Sequence, residues 1–149
     1  MKMGLFTTLE VSGSALAAER ARAEIVAANM ANAETTRTAQ GGPFRRKIAV
    51  FSTTGISAFQ TLLAGGGRTA ERAAGGVRLL QVAEDPSPPS MKYEPGHPDA
   101  DASGFVAYPN INPIQEMVDL VGAVRAYQLN ASAVAASKQM IQQSLEILK

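Results

Sequence analysis

The sequence predicts a mainly α fold: two long terminal helices pairing as an antiparallel coiled coil, with a small β-rich and loop-rich segment between them. Two apolar repeats and one change of residue grammar predict it. Toward the C-terminus, Leu120, Val124, Tyr127, Ala131, Val134, Lys138, Ile141, Leu145 and Leu148 follow one another in alternating steps of four and three. That spacing keeps one stripe of a helix facing a partner helix. Toward the N-terminus, Leu5, Leu9, Ser12, Leu16, Glu19, Ala23, Val26, Met30 and Ala33 repeat the rhythm. From Glu34 to Asn112 Gly and Pro become frequent and the helical period is lost.

Each element has its own local warrant. Thr7 with Glu10 reads as a capping box opening the first helix, which runs to about Ala33. Its many alanines, Ala15, Ala17, Ala18, Ala21, Ala27 and Ala28 among them, spread around every side and suit a helix packed among several neighbours. In the middle, Arg45–Phe51, Val77–Ala83 and Phe105–Tyr108 read as short strands. Thr53–Gly76, with Gly65-Gly66-Gly67 inside it, reads as a flexible insertion, and Asp85–Ser90 as an extended, proline-rich turn. The last helix starts at Asn112 as N-cap, with Pro113 at the first helical position. The expected organisation is an N-terminal helix over 1–36, a β/loop region over 37–111 with the insertion at 53–76, and a C-terminal helix over 112–149. The two helices form one terminal helical domain.

Composition narrows the function. The chain has 149 residues and a net charge of +1, spread evenly: three basic and three acidic groups in the first 33 residues, eight and seven in the middle, three and three in the last 37. No segment has the basic excess that nucleic acid or an anionic membrane requires. The absence of Cys excludes disulfides, thiol catalysis and cysteine-ligated metals. No apolar run reaches the length of a membrane span, and no cleavable secretory signal is recognisable, so any export is expected to use another route.

The chemical motifs are weak. Asp99–Gly104 matches the first half of a calcium loop, but Asn110 stands where a bidentate Glu is needed, so an Asx-rich turn is expected. His97 is the only histidine, between Gly96 and Pro98, with no nucleophile to partner it. Arg45-Arg46-Lys47 reads as a solvated strand edge. No catalytic residue, cofactor or metal site is expected.

The helix junctions are more specific. Ala28-Asn29-Met30-Ala31-Asn32 ends the first helix; Asn32 suits a C-cap in the left-handed conformation, whereas Asn29 lies a turn too far inside. This stretch, with Thr35-Thr36-Arg37-Thr38 and Gly41-Gly42-Pro43-Phe44-Arg45-Arg46, resembles the N-terminal signature of bacterial flagellar rod and hook proteins. Tyr93–Asp101 (YEPGHPDAD) and Gly104–Asn112 (GFVAYPNIN) make the resemblance closest to the proximal-rod (FlgC) family, and Glu116-Met117-Val118-Asp119, Arg125-Ala126-Tyr127 and Asn130 fit it too.

The resemblance implies a structural subunit of the flagellar basal body, not an enzyme, that polymerises through its terminal helices into the rod. The rod is the periplasm-crossing drive shaft and export channel. It implies partners as well: further copies, other rod proteins, the junction with the membrane ring, and the flagellar type III export apparatus, which takes its substrates without cleaving a signal. The assembly interface is expected at Leu9, Leu16, Asn29, Met30, Asn32, Leu120, Val124, Tyr127, Asn130, Ala131, Val134, Ile141, Leu145 and Leu148. A cytoplasmic helical-hairpin adaptor gripping a partner helix along the Leu120–Leu148 seam is the competing reading.

Overall fold

The computed structural model describes residues 5–54 and 75–146. Their elements are α1 (Leu5–Ala31), β1 (Lys47–Thr53), β2 (Val77–Glu84), β3 (Ser90–Tyr93), β4 (Phe105–Tyr108) and α2 (Pro113–Glu146). Most of the expected 53–76 insertion, 55–74, lies outside the described residues, as does Leu148. The chain divides into two compact units, one from Met1–Ala21, Phe51–Leu80 and Ala123–Lys149, the other from Arg22–Val50 and Gln81–Gly122.

Several expectations need correction. Helix α1 is already formed at Leu5, so Thr7 lies within it and not at its cap. A threonine costs a helix interior only a few tenths of a kcal/mol, too little to start the helix three residues late. Helix α2 begins as expected: the Asn112 side chain accepts a hydrogen bond from the Ile114 N–H at 3.0 Å, and its carbonyl accepts from the Glu116 N–H at 3.1 Å. Its 34 residues span about 50 Å. Strand β1 is displaced two residues toward the C-terminus of the expected strand, and β3 was missing from the expectation. Ser90–Tyr93 is only four residues long and directly follows a proline-rich run, so its polar-apolar alternation is too short to mark a strand.

The apolar seam of α2 has the expected period but another phase. Ala123 and Ser137 are buried at 0% and 2% exposure, with Asn130, Val134 and Ile141 half-buried between and beyond them. Val124, Tyr127 and Leu145 are 44%, 43% and 59% exposed. Beyond Gly122 the fully buried positions of this helix, Ala123 and Ser137, are small side chains over which another backbone can come close.

In the first unit Ser12, Ala18, Ala123 and Ser137 are the buried residues of the two helices. Ser14 ties α1 to β2: its hydroxyl donates to the Val11 carbonyl at 2.7 Å and accepts from the Val77 N–H at 3.0 Å. Gly76 is buried beside it, and a Cβ there would collide with the Ser14 side chain.

In the second unit β3 and β4 pair antiparallel from Ser90↔Tyr108 to Tyr93↔Phe105, with Val106 fully buried at the centre. The turn between them closes on Gly104, whose φ is +81° and whose added Cβ would lie 2.9 Å from Tyr93 Cε2. Gly104→Ala is therefore expected to lower stability by about 1–3 kcal/mol, measured by thermal unfolding.

Candidate functional site

The second unit is organised around a polar junction where the end of α1, the start of β1 and the first turns of α2 meet. Asn29 is 1% exposed. Its Oδ1 accepts from the Lys47 N–H at 2.8 Å while its Nδ2 donates to the Lys47 carbonyl at 2.9 Å. One side-chain amide thus satisfies both polar groups of a single residue at the strand's entry. The same Nδ2 donates to Glu116 Oε2 at 3.1 Å. This explains an asparagine two residues short of the helix end: it joins segments instead of capping.

Glu116 is itself buried to 1% exposure, and its Oε1 accepts from Arg46 Nε at 2.7 Å. A buried carboxylate needs such a partner. Arg46 also lies 3.9 Å from Asp85 and 4.0 Å from Asp119, and Asp119 is 3.4 Å from Arg22 on α1. Within this unit α1 and α2 are thus joined twice, Arg22 to Asp119 and Asn29 to Glu116. Asp85 is held below the usual carboxylate range, first by its hydrogen bonds from Ser87 and less by the Arg46 charge. Arg46 was expected on a solvated edge; it is instead the counter-ion of a buried acid. Its partner is 70 positions away in the chain, beyond the reach of local pattern reading.

Asn32 does cap, though not as expected. Among the described residues no residue other than glycine has positive φ, so Asn32 does not take the left-handed conformation. Its Nδ2 instead donates to the Ala28 carbonyl at 2.8 Å, and its Oδ1 accepts from the Thr35 hydroxyl at 3.2 Å. The Thr36 hydroxyl then donates to Asp99 at 2.8 Å, with Arg37 3.5 Å from the same carboxylate. The two signature stretches after α1 and before α2 are therefore bound to each other.

Asp101 accepts from the Ser103 and Phe105 N–H groups, as an Asx turn does. His97 Nδ1 accepts from the Asp99 N–H at 3.1 Å and its ring meets Tyr108 edge-on at 6.2 Å. Tyr108 donates its hydroxyl to Glu94 at 2.9 Å, which holds the phenol's pKa above its usual value, and the Lys92 ammonium lies over its ring at 4.4 Å.

The other residues expected at an assembly interface sort into two groups. Leu9, Leu16, Met30, Leu120, Asn130, Ala131, Val134 and Ile141 are half-buried, Asn130 bonding within its own helix to the Ala126 carbonyl. Val124, Tyr127 and Leu145 are exposed, and so are Ile114, Met117, Val118, Val121 and Leu129 on the same helix. Among the described residues no group of acidic or histidine side chains could hold a metal ion, and no helix is long and apolar enough to cross a membrane.

Residues 9–37 match the flagella basal body rod protein family, and residues 102–147 match the flagellar basal body rod FlgEFG protein C-terminal family. The chain is 40% identical to the flagellar basal-body rod protein FlgC of Bacillus subtilis (strain 168), over 99% of this chain and 100% of that one. It is 36% identical to the protein of that name from Borreliella burgdorferi, over 99% of each. It is 37% identical to the one from Salmonella typhimurium, over 97% of this chain and 98% of that one.

Proposed function

The chain belongs to the FlgC family of flagellar basal-body rod proteins, and from that premise we propose that it is a structural subunit that polymerises through α1 and α2. The polymer is the rod, a drive shaft across the periplasm with an export channel along its axis. The observation that supports this reading is the number of large apolar side chains that α2 leaves uncovered. Ile114, Val118 and Leu129 are 75%, 67% and 72% exposed in the single chain, and Val124 and Leu145 lie open with them. Apolar surface on this scale is covered by a partner when a protein works. Two unlike helices presenting unlike faces make heterologous contacts, which propagate into a helical tube where the rotation between subunits does not close.

In this reading the terminal helices pair as an antiparallel coiled coil in the assembled rod. The interface takes in Leu9, Leu16, Met30, Val124, Tyr127, Val134, Ile141, Leu145 and Leu148. Further copies, other rod proteins and the ring-to-rod junction lie against those faces, and the subunit reaches them through the flagellar export apparatus with its N-terminus uncleaved. The work is mechanical, and no reaction is assigned to it. Nothing in the relatives supports a cytoplasmic adaptor.

Val124→Asp or Ile141→Asp is expected to abolish motility while leaving expression unchanged, because a charge between packed helices is desolvated without a partner. Swimming at the normal rate in either variant would place the seam outside any packed interface. Hydrogen exchange supplies a second check. In the free subunit the amides of α2 beyond Ala123 should exchange faster than those from Glu116 to Leu120, which the polar junction protects, and assembly should abolish the contrast.

A further inference from the structure

The ion pair between Arg46 and Glu116 is a poor source of stability, since desolvating a buried carboxylate offsets much of its attraction to the guanidinium. Its geometry is better suited to selection. Between Arg22 and Ala31, α1 carries the half-buried alanines Ala23 and Ala28, with Ala27 and Ala31 exposed. Small residues let a neighbouring helix slide by a turn with little change in apolar contact. The hydrogen-bond pattern does not permit the slide. The Asn29 amide has one allowed orientation, because its oxygen faces the Lys47 N–H and its nitrogen faces the Lys47 carbonyl. Its remaining N–H and the Arg46 Nε–H both point at Glu116, one at each oxygen. Only a carboxylate offers two acceptors there. One turn along α2 the same point would be met by Leu120, which accepts no hydrogen bond, or by Asp119, whose carboxylate lies 3.4 Å from Arg22. One turn back it would be met by Pro113, which accepts none, or by Asn112, whose side-chain oxygen already caps α2.

We infer that Glu116 is a positioning residue that fixes the pairing register between the last turns of α1 and the first turns of α2. The inference concerns the free subunit and does not rest on the assembly reading. Because the chain has no Cys, Ala27→Cys/Val118→Cys accepts two spin labels and no more, at exposed positions outside the polar junction. Pulsed electron paramagnetic resonance on that background should give one narrow distance. Glu116→Leu/Arg46→Met replaces the pair with apolar side chains and leaves Asn29 bonded to Lys47. It should keep its helical circular dichroism and a Tm within about 5 °C of the parent, yet show a broadened or second distance. Glu116→Gln sets an N–H against a donor and should broaden the distance as well. A single unchanged distance in both variants would overturn the inference. So would collapse of helicity or Tm in Glu116→Leu/Arg46→Met, since the pair would then serve stability and not register.

Discussion

Arg46→Met should destabilise the second unit by about 3–5 kcal/mol, read as a fall in the denaturant midpoint with an unchanged slope. The size follows from what is left behind. Glu116 is 1% exposed and loses the donor 2.7 Å from its Oε1, so its charge stays buried with only the Asn29 amide to meet it. Asp85 and Asp119 lose weaker partners at 3.9 and 4.0 Å, and Asp119 keeps Arg22. An exposed pair would contribute at most about 1 kcal/mol. A loss of that size or less from Arg46→Met would mean that water reaches Glu116. The single variant should also be far less stable than Glu116→Leu/Arg46→Met, which leaves no orphaned charge.

Asn29→Ala is expected to cost about 2–5 kcal/mol, because three hydrogen bonds vanish together. The Lys47 N–H, the Lys47 carbonyl and one oxygen of Glu116 are each left without that partner. Asn32→Ala removes a half-buried cap, its bonds to Ala28 and Thr35, and should cost about 0.5–2 kcal/mol. The two asparagines lie three positions apart in one motif, so the comparison controls for location. Motility should follow the same order, with Asn29→Ala the more impaired. Equal stability losses, or the larger loss at Asn32, would contradict the roles that the geometry gives them.

The elements were legible in the sequence where a local rule decides them. Helix α2 was legible because Asn112 and Pro113 mark its start and a four-three repeat runs along it. Asn29 was legible as something other than a cap because it lies too far inside α1 to be one. The phase of the α2 seam was not legible. Side-chain size points to Val124 and Tyr127, which are 44% and 43% exposed in the single chain, whereas the small Ala123 and Ser137 are buried. Arg46 and Glu116 were each visible, one as a strand edge and the other as an acid in a helix's first turn, with nothing local to join them. Strand β3 escaped because four residues after a proline-rich run are too few to show a period, and its pairing with β4 is not written in its own sequence.

This chain is expected to be built into the flagellar rod. The most direct test is to fractionate cells of the parent organism, purify detergent-extracted basal bodies and probe each fraction with an antibody to the chain. Recovery with the basal bodies, lost in Val124→Asp cells that express the protein at the normal level, is the expected result. Finding the chain only in the soluble fraction of motile cells would contradict it.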